Sequence, residues 1–160
     1  MAPGARILNL VFLMVDPNPE ALFNKGIESL SRNEWTSALA CFEKAAGLLD
    51  SPLHKSFLAL CIARERGQIN KAIAICNEAI EADPDNTVLY LNLGKVHLLR
   101  GNSEEAISTF REGLKRGANA QIVAELQRFG TRRPPPLKFL ERDNPINKYL
   151  GIILARLGLR

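Results

Sequence analysis

Along residues 19–128 the apolar positions fall three and four apart and are broken at short intervals by polar turns, the spacing of helices that each bury one face. The stretch "AIAICNEAI" (72–80) shows the pattern. "RGQIN" (66–70) and "RGNSEEA" (100–106) read as turns between one helix and the next. "ADPDN" (82–86) closes a pair of helices, because Pro84 cannot continue one. Asn102 and Glu105 have capping-box spacing, with Asn standing in for the usual Ser or Thr. These patterns predict an all-α chain of short helices.

Self-comparison shows that the helices repeat. In "SALACFEKA", "NKAIAICNEAI" and "EEAISTFREGL", Ala38, Ala72 and Ala106 stand 34 apart, as do Phe42, Cys76 and Phe110, and also Ala45, Ala79 and Gly113. On the preceding helices Gly26, Leu60 and Gly94 keep the same register, and Gly67 and Gly101 repeat at the turns. A fixed period of this length is the signature of stacked supersecondary units. The small residues let one helix approach its neighbour, and Phe42 and Phe110 fill the space beside them.

These positions resemble the tetratricopeptide-repeat family, which has Gly or Ala in the first helix, A-x3-F-x2-A in the second and a proline near the end. "GQINKAIAICNEAIEADPDN" (67–86) is close to that pattern. The departures are Cys76 for the aromatic, Leu60 for Gly, Asp50 in place of the terminal Pro, and Gly113 for Ala. The expected organisation is an apolar N-terminal extension (1–17) and an array over 18–130. Within the array, repeats fall at about 19–52, 53–86 and 87–120, with a capping helix at 119–130. A proline-rich extended linker (131–143) and a C-terminal amphipathic helix (144–160) follow. The resemblance implies a right-handed superhelical array of antiparallel helix pairs, with the first helices lining a concave surface.

Counting along the first helices gives the expected groove. The first repeat offers Glu20, Phe23, Asn24, Ile27 and Leu30; the second offers His54, Phe57, Leu58, Cys61 and Arg64. The third offers Val88, Leu91, Asn92, Lys95 and Leu98, and the capping helix adds Ile122, Leu126 and Phe129. Family members that bind the acidic C-termini of heat-shock chaperones hold the carboxylate with Lys, Asn and Arg. The matching positions here are Phe23, Ile27, Leu58, Val88 and Asn92, and four apolar residues cannot grip a carboxylate. The expected ligand is instead an apolar peptide or an amphipathic helix.

Composition narrows the function further. Of 160 residues, 46% are hydrophobic, 24% charged and 6% aromatic, as in a helical globular protein. The formal charge of +4 is uneven: residues 128–160 hold eight Lys/Arg against two Asp/Glu, and residues 1–127 hold thirteen against fifteen. That asymmetry suits an acidic partner, an anionic membrane, or a tail that folds back on its own body, and is too dilute for nucleic acid. Cys41, Cys61 and Cys76 lie inside helices without CxxC spacing, as expected of reduced thiols in a cytoplasmic protein. His97 reads as a packing residue. His54 and Cys61 lie two helical turns apart with no further ligand to complete a metal set. No nucleotide or nucleophile motif occurs, and Glu104 and Glu105 fit a helix N-terminus, so neither catalysis nor a cofactor is expected.

The two ends carry separate signals. Ile7–Val15 has the length of a signal-peptide apolar region but lacks its cleavage site, and is too short to span a bilayer as a helix. Translation from Met14, or docking on the first repeat, accounts for it better. In "NPINKYLGIILARLG" (144–158) Ile146, Tyr149, Leu150, Ile153, Leu154 and Leu157 form one helical stripe, with Asn144 placed to cap it. Before it, "RRPPPLKFL" (132–140) is expected to be extended, with Phe139 and Leu140 as anchors. Such a helix is marginal alone. It has three hosts to choose from: its own array, another protein or second copy of the chain, or an anionic membrane, for which its positive charge is thin. The sequence therefore reads as a non-catalytic interaction module or scaffold. The alternatives are a chaperone for a secreted or membrane client, and a peripheral membrane adaptor anchored by its apolar ends.

Overall fold

The computed structural model describes residues 18–129. The N-terminal extension, the proline-rich linker and the C-terminal helix lie outside the described residues. So do the docking positions Phe139, Leu140, Ile146, Tyr149, Leu150, Ile153, Leu154 and Leu157. The described residues are helical and contain no strand. Their elements are α1 (Pro19–Ser31), α2 (Trp35–Leu48), α3 (Pro52–Arg66), α4 (Ile69–Ala82), α5 (Thr87–Leu99), α6 (Ser103–Arg116) and α7 (Ala120–Arg128). Residues 18–124 belong to one compact unit, and a second begins at Glu125, inside α7.

Local chemistry sets the helix ends. Asn18 accepts the Glu20 amide at 2.9 Å and Asn86 that of Val88 at 3.2 Å. Asn119 accepts the amides of Gln121 and Ile122, at 3.0 and 3.1 Å. Asn102 is the N-cap of α6, yet its side chain makes no capping hydrogen bond, which corrects the capping-box expectation: the spacing is present and the bond is not. At the turns inside the pairs, Gly67 and Gly101 have φ of 64° and 83°. Asn33, 34 residues before Gly67, has φ of 62°, so the period extends to a third left-handed turn. There Asn replaces glycine, because its short polar side chain tolerates that region. Its Oδ1 accepts the Trp35 indole N–H at 2.7 Å.

The pairs α1–α2, α3–α4 and α5–α6 pack internally, and successive pairs join through α2–α3, α3–α5 and α4–α5. Every periodic position on the helices is buried: Ala38, Ala72 and Ala106; Phe42, Cys76 and Phe110; Ala45, Ala79 and Gly113; Gly26, Leu60 and Gly94. The first and third pairs interlock a glycine with a ring. A Cβ added to Gly26 would lie 2.5 Å from the Phe42 ring, and one added to Gly94 would lie 2.1 Å from that of Phe110. The middle pair inverts the arrangement, with Leu60 on the first helix and Cys76 on the second, both in one core cluster with Ala59, Ala63, Ala72, Leu93 and Val96. One polar contact crosses this interior. Asn92 Nδ2 on α5 donates to Ser56 Oγ on α3 at 3.0 Å, and that hydroxyl donates to the Leu53 carbonyl at 2.9 Å.

Burial also sets the acid response. His97 lies in the last turn of α5, and its Nδ1 is buried with no hydrogen-bond partner. Burial lowers its pKa below 6.5, against a smaller opposing effect from Glu105. The unfolded chain therefore binds a proton that the folded chain resists, so stability held above about pH 6.5 is lost as the pH falls below it. The melting temperature is expected to drop between about pH 7 and about pH 5, and His97→Phe should shrink that drop. An unchanged pH profile in the variant would assign the acid sensitivity elsewhere.

Candidate functional site: the face of the first helices

The helices α1, α3 and α5 are the first helices of their pairs, and they sort the expected groove residues by depth. On α1, Glu20 and Asn24 are exposed, Ile27 is 37% exposed, Leu30 is half-buried and Phe23 is buried. On α3, Phe57 is half-buried and Arg64 exposed, while His54 and Cys61 are buried. On α5, Val88, Lys95 and Leu98 are half-buried, and Leu91 and Asn92 are buried. In α7, Ile122 is buried within the first unit. Leu126 and Phe129, both half-buried, belong to the second.

Three of these residues, with Phe42 of α2, form contacts that helix counting alone does not show. Phe23, Phe42, His54 and Phe57 make one ring cluster joining α1, α2 and α3. Phe23 stacks on His54 with centroids 4.5 Å apart and meets Phe57 edge-on at 5.3 Å; Phe42 lies 5.5 Å from both Phe23 and Phe57. Such contacts add to the area they bury and fix the angle between helices. Phe23 is thus mainly a packing residue. Leu58, read as a groove residue, lines a recess between α2 and α4 instead. Asn92 is committed to Ser56. A first helix touches neighbours on more than one side, so adjacent turns of one apolar stripe serve different contacts.

The electrostatics of this face are mild. His54 Nε2 lies 3.7 Å from the exposed Glu20 carboxylate. The Arg64 guanidinium sits 4.2 Å above the Trp35 ring, which ties the end of α3 to the start of α2. Burial pushes the thiols of Cys61 and Cys76 up to about 12, so both stay protonated and act as small apolar packing groups. Among the described residues no group of three or more His, Cys, Asp or Glu could hold a metal ion, and no helix is long and apolar enough to cross a membrane.

What remains at the surface is Ile27 on α1, while Leu30 on the same helix, Phe57 on α3, and Val88 and Leu98 on α5 are half-buried. The exposed polar groups on the first helices of this set are Glu20, Asn24 and Arg64. Such a face can bury an apolar side chain. Its cations are Arg64, held over the Trp35 ring, and the half-buried Lys95.

Comparison with known proteins gives the same architecture. Residues 63–128 match the sequence model described as Tetratricopeptide repeat. No curated protein matches the chain. Among solved structures, the TPR domain of Arabidopsis OM64 superposes with a TM-score of 0.55 at 20% identity, over 72% of this chain and 96% of that one. The first TPR domain of human RPAP3 gives 0.57 at 20% identity, over 69% and 87%. The TPR2B domain of yeast Sti1, in complex with pHsp70, gives 0.54 at 20% identity, over 69% and 88%. At these identities the likeness is one of fold.

Proposed function

The chain carries a tetratricopeptide-repeat array, and on that premise we propose that it is a non-catalytic protein-interaction module that binds an apolar peptide or an amphipathic helix on its first-helix face. The observation that carries this reading is the apolar character of the accessible positions, Ile27 with Leu30, Phe57, Val88 and Leu98. The first TPR of Spaghetti (RPAP3), bound to an HSP90 peptide, supports a peptide as the class of partner. The carboxylate chemistry of a chaperone terminus does not transfer, because the positions that would hold it are apolar or buried. One candidate ligand is encoded in the chain itself: the stripe from Ile146 to Leu157 has the spacing of a helix that presents one apolar edge.

The test is hydrogen exchange on the full chain at dilute concentration, with Ile27→Glu as the probe. Ile27 suits it better than Phe57, whose ring packs against Phe23 and Phe42, so that Phe57→Glu is expected to cost stability as well as binding. In the wild type, slow exchange over residues 144–158 is expected if the tail is the ligand. Ile27→Glu should speed exchange there by roughly tenfold or more while leaving 72–80 protected. Fast exchange in both proteins would remove the tail as ligand and require an external peptide. Equal, slow exchange in both would place the tail's host away from Ile27.

A further inference from the structure

Between α2 and α4, floored by α3, lies a recess of about 420 Å³ that the first-helix face does not use. Its apolar lining is Ala46, Gly47, Leu58 and Ile75, with Glu43 and Glu78 on the two walls and Lys55 on the floor. A related recess of about 330 Å³ recurs one repeat later, where Ile80 takes the place of Ala46 and Tyr90 adds its ring. The first recess is the larger of the two. Gly47 lines it, and nothing among the described residues requires a glycine there. Its backbone does not have positive φ, and a Cβ at that position would meet no atom within 4 Å. A glycine inside a helix costs stability relative to alanine, and close approach by another backbone is one of the few gains that offset it.

The two residues that follow Gly47 in sequence are exposed and apolar. Leu48 is 51% exposed and Leu49 40%, among the most exposed large apolar residues described. The rim carries both signs of charge. Lys44, three and four residues before Gly47 and Leu48, shares their helix face and is exposed, Lys55 in the recess is paired with Asp50, and Glu78 is exposed across the recess. Exposed leucines, a recess, a cation and an anion within one patch make a self-complementary surface, the requirement of a two-fold contact.

We propose that this patch binds a second copy of the same chain: Leu48 of each copy enters the recess of the other, the two α2 helices cross at Gly47, and Lys44 faces Glu78. A foreign partner would need only half of these features; a two-fold needs all of them side by side. The interface does not depend on the C-terminal stripe or on the first-helix face.

The test is sedimentation equilibrium of the full chain across a concentration series. A dimer is expected. Because each substitution acts twice across a two-fold, Leu48→Glu and Gly47→Leu should each raise its Kd by roughly a hundredfold, with the helical circular dichroism spectrum unchanged. Lys44→Glu and Glu78→Lys should each weaken it, and the double reversal should restore it. A wild type that stays monomeric at the highest concentration overturns the proposal. So does a dimer that survives Leu48→Glu but dissociates on Leu154→Glu, since that dimer would be held by the tail.

Discussion

Ala72→Arg is expected to abolish folding of the array. Ala72 is fully buried on α4, in the cluster formed with Ala59, Leu60, Ala63, Cys76, Leu93 and Val96. That cluster contains no carboxylate to receive a guanidinium. A charged side chain forced into it costs several kcal/mol in desolvation, with a further overpacking cost from its volume. Against a total stability of about 5–15 kcal/mol, that loss is decisive. Ala74, two residues on, is exposed, and Ala74→Arg is the matched control. Circular dichroism melts decide the matter: the control should melt like the wild type, and Ala72→Arg should show no cooperative transition. Wild-type melting of Ala72→Arg would mean that α4 turns a different face inward.

Gly94→Leu should be the most damaging single change outside that cluster, and it should be repairable. A Cβ alone at position 94 would lie 2.1 Å from the Phe110 ring, so three further carbons demand that the ring leave its place. The expected loss is about 3 kcal/mol, the upper part of the usual overpacking range. In a domain of this size that lowers the melting temperature by roughly 10 °C or more. Phe110→Cys alone should cost a similar amount by leaving a cavity. Together they recreate the arrangement the middle pair already has in Leu60 and Cys76, and the double variant should recover more than half of the summed loss. Independent, additive losses in a double-mutant cycle would show that the two positions are not exchanging volume.

The architecture was readable from sequence because the residues that repeat are those with the least freedom. Ala38, Ala72 and Ala106 are each fully buried, and the turn glycines sit where a side chain is penalised. A position with one tolerable size, or one tolerable backbone region, prints its period on the chain. Asn33 escaped the glycine count because a second residue type meets the same backbone demand. The binding face was read less sharply. Phe23, Cys61, Leu91 and Asn92 share the helical spacing of Ile27 and Val88, yet they are buried. Helical periodicity reports that a residue lies on an apolar face; whether a neighbouring helix or an outside ligand covers it depends on packing that spacing does not encode. The recess at Gly47 left no sequence trace at all, since it arises where α2, α3 and α4 meet.

The interlocking of Gly26 with Phe42 and of Gly94 with Phe110 also bears on how such a chain can be reshuffled by recombination. Each match lies within one helix pair, so a crossover near Ser51–Pro52 or Asp85–Asn86 moves complete pairs and leaves every glycine facing its own ring. A crossover at the turns, at Gly67 or Gly101, would set Leu60 against a ring-bearing helix or Gly94 against a helix with only a cysteine to offer. The first junction overfills the contact and the second leaves it hollow. The heritable module of this chain is therefore the pair, and its permissible seams are the loops between pairs.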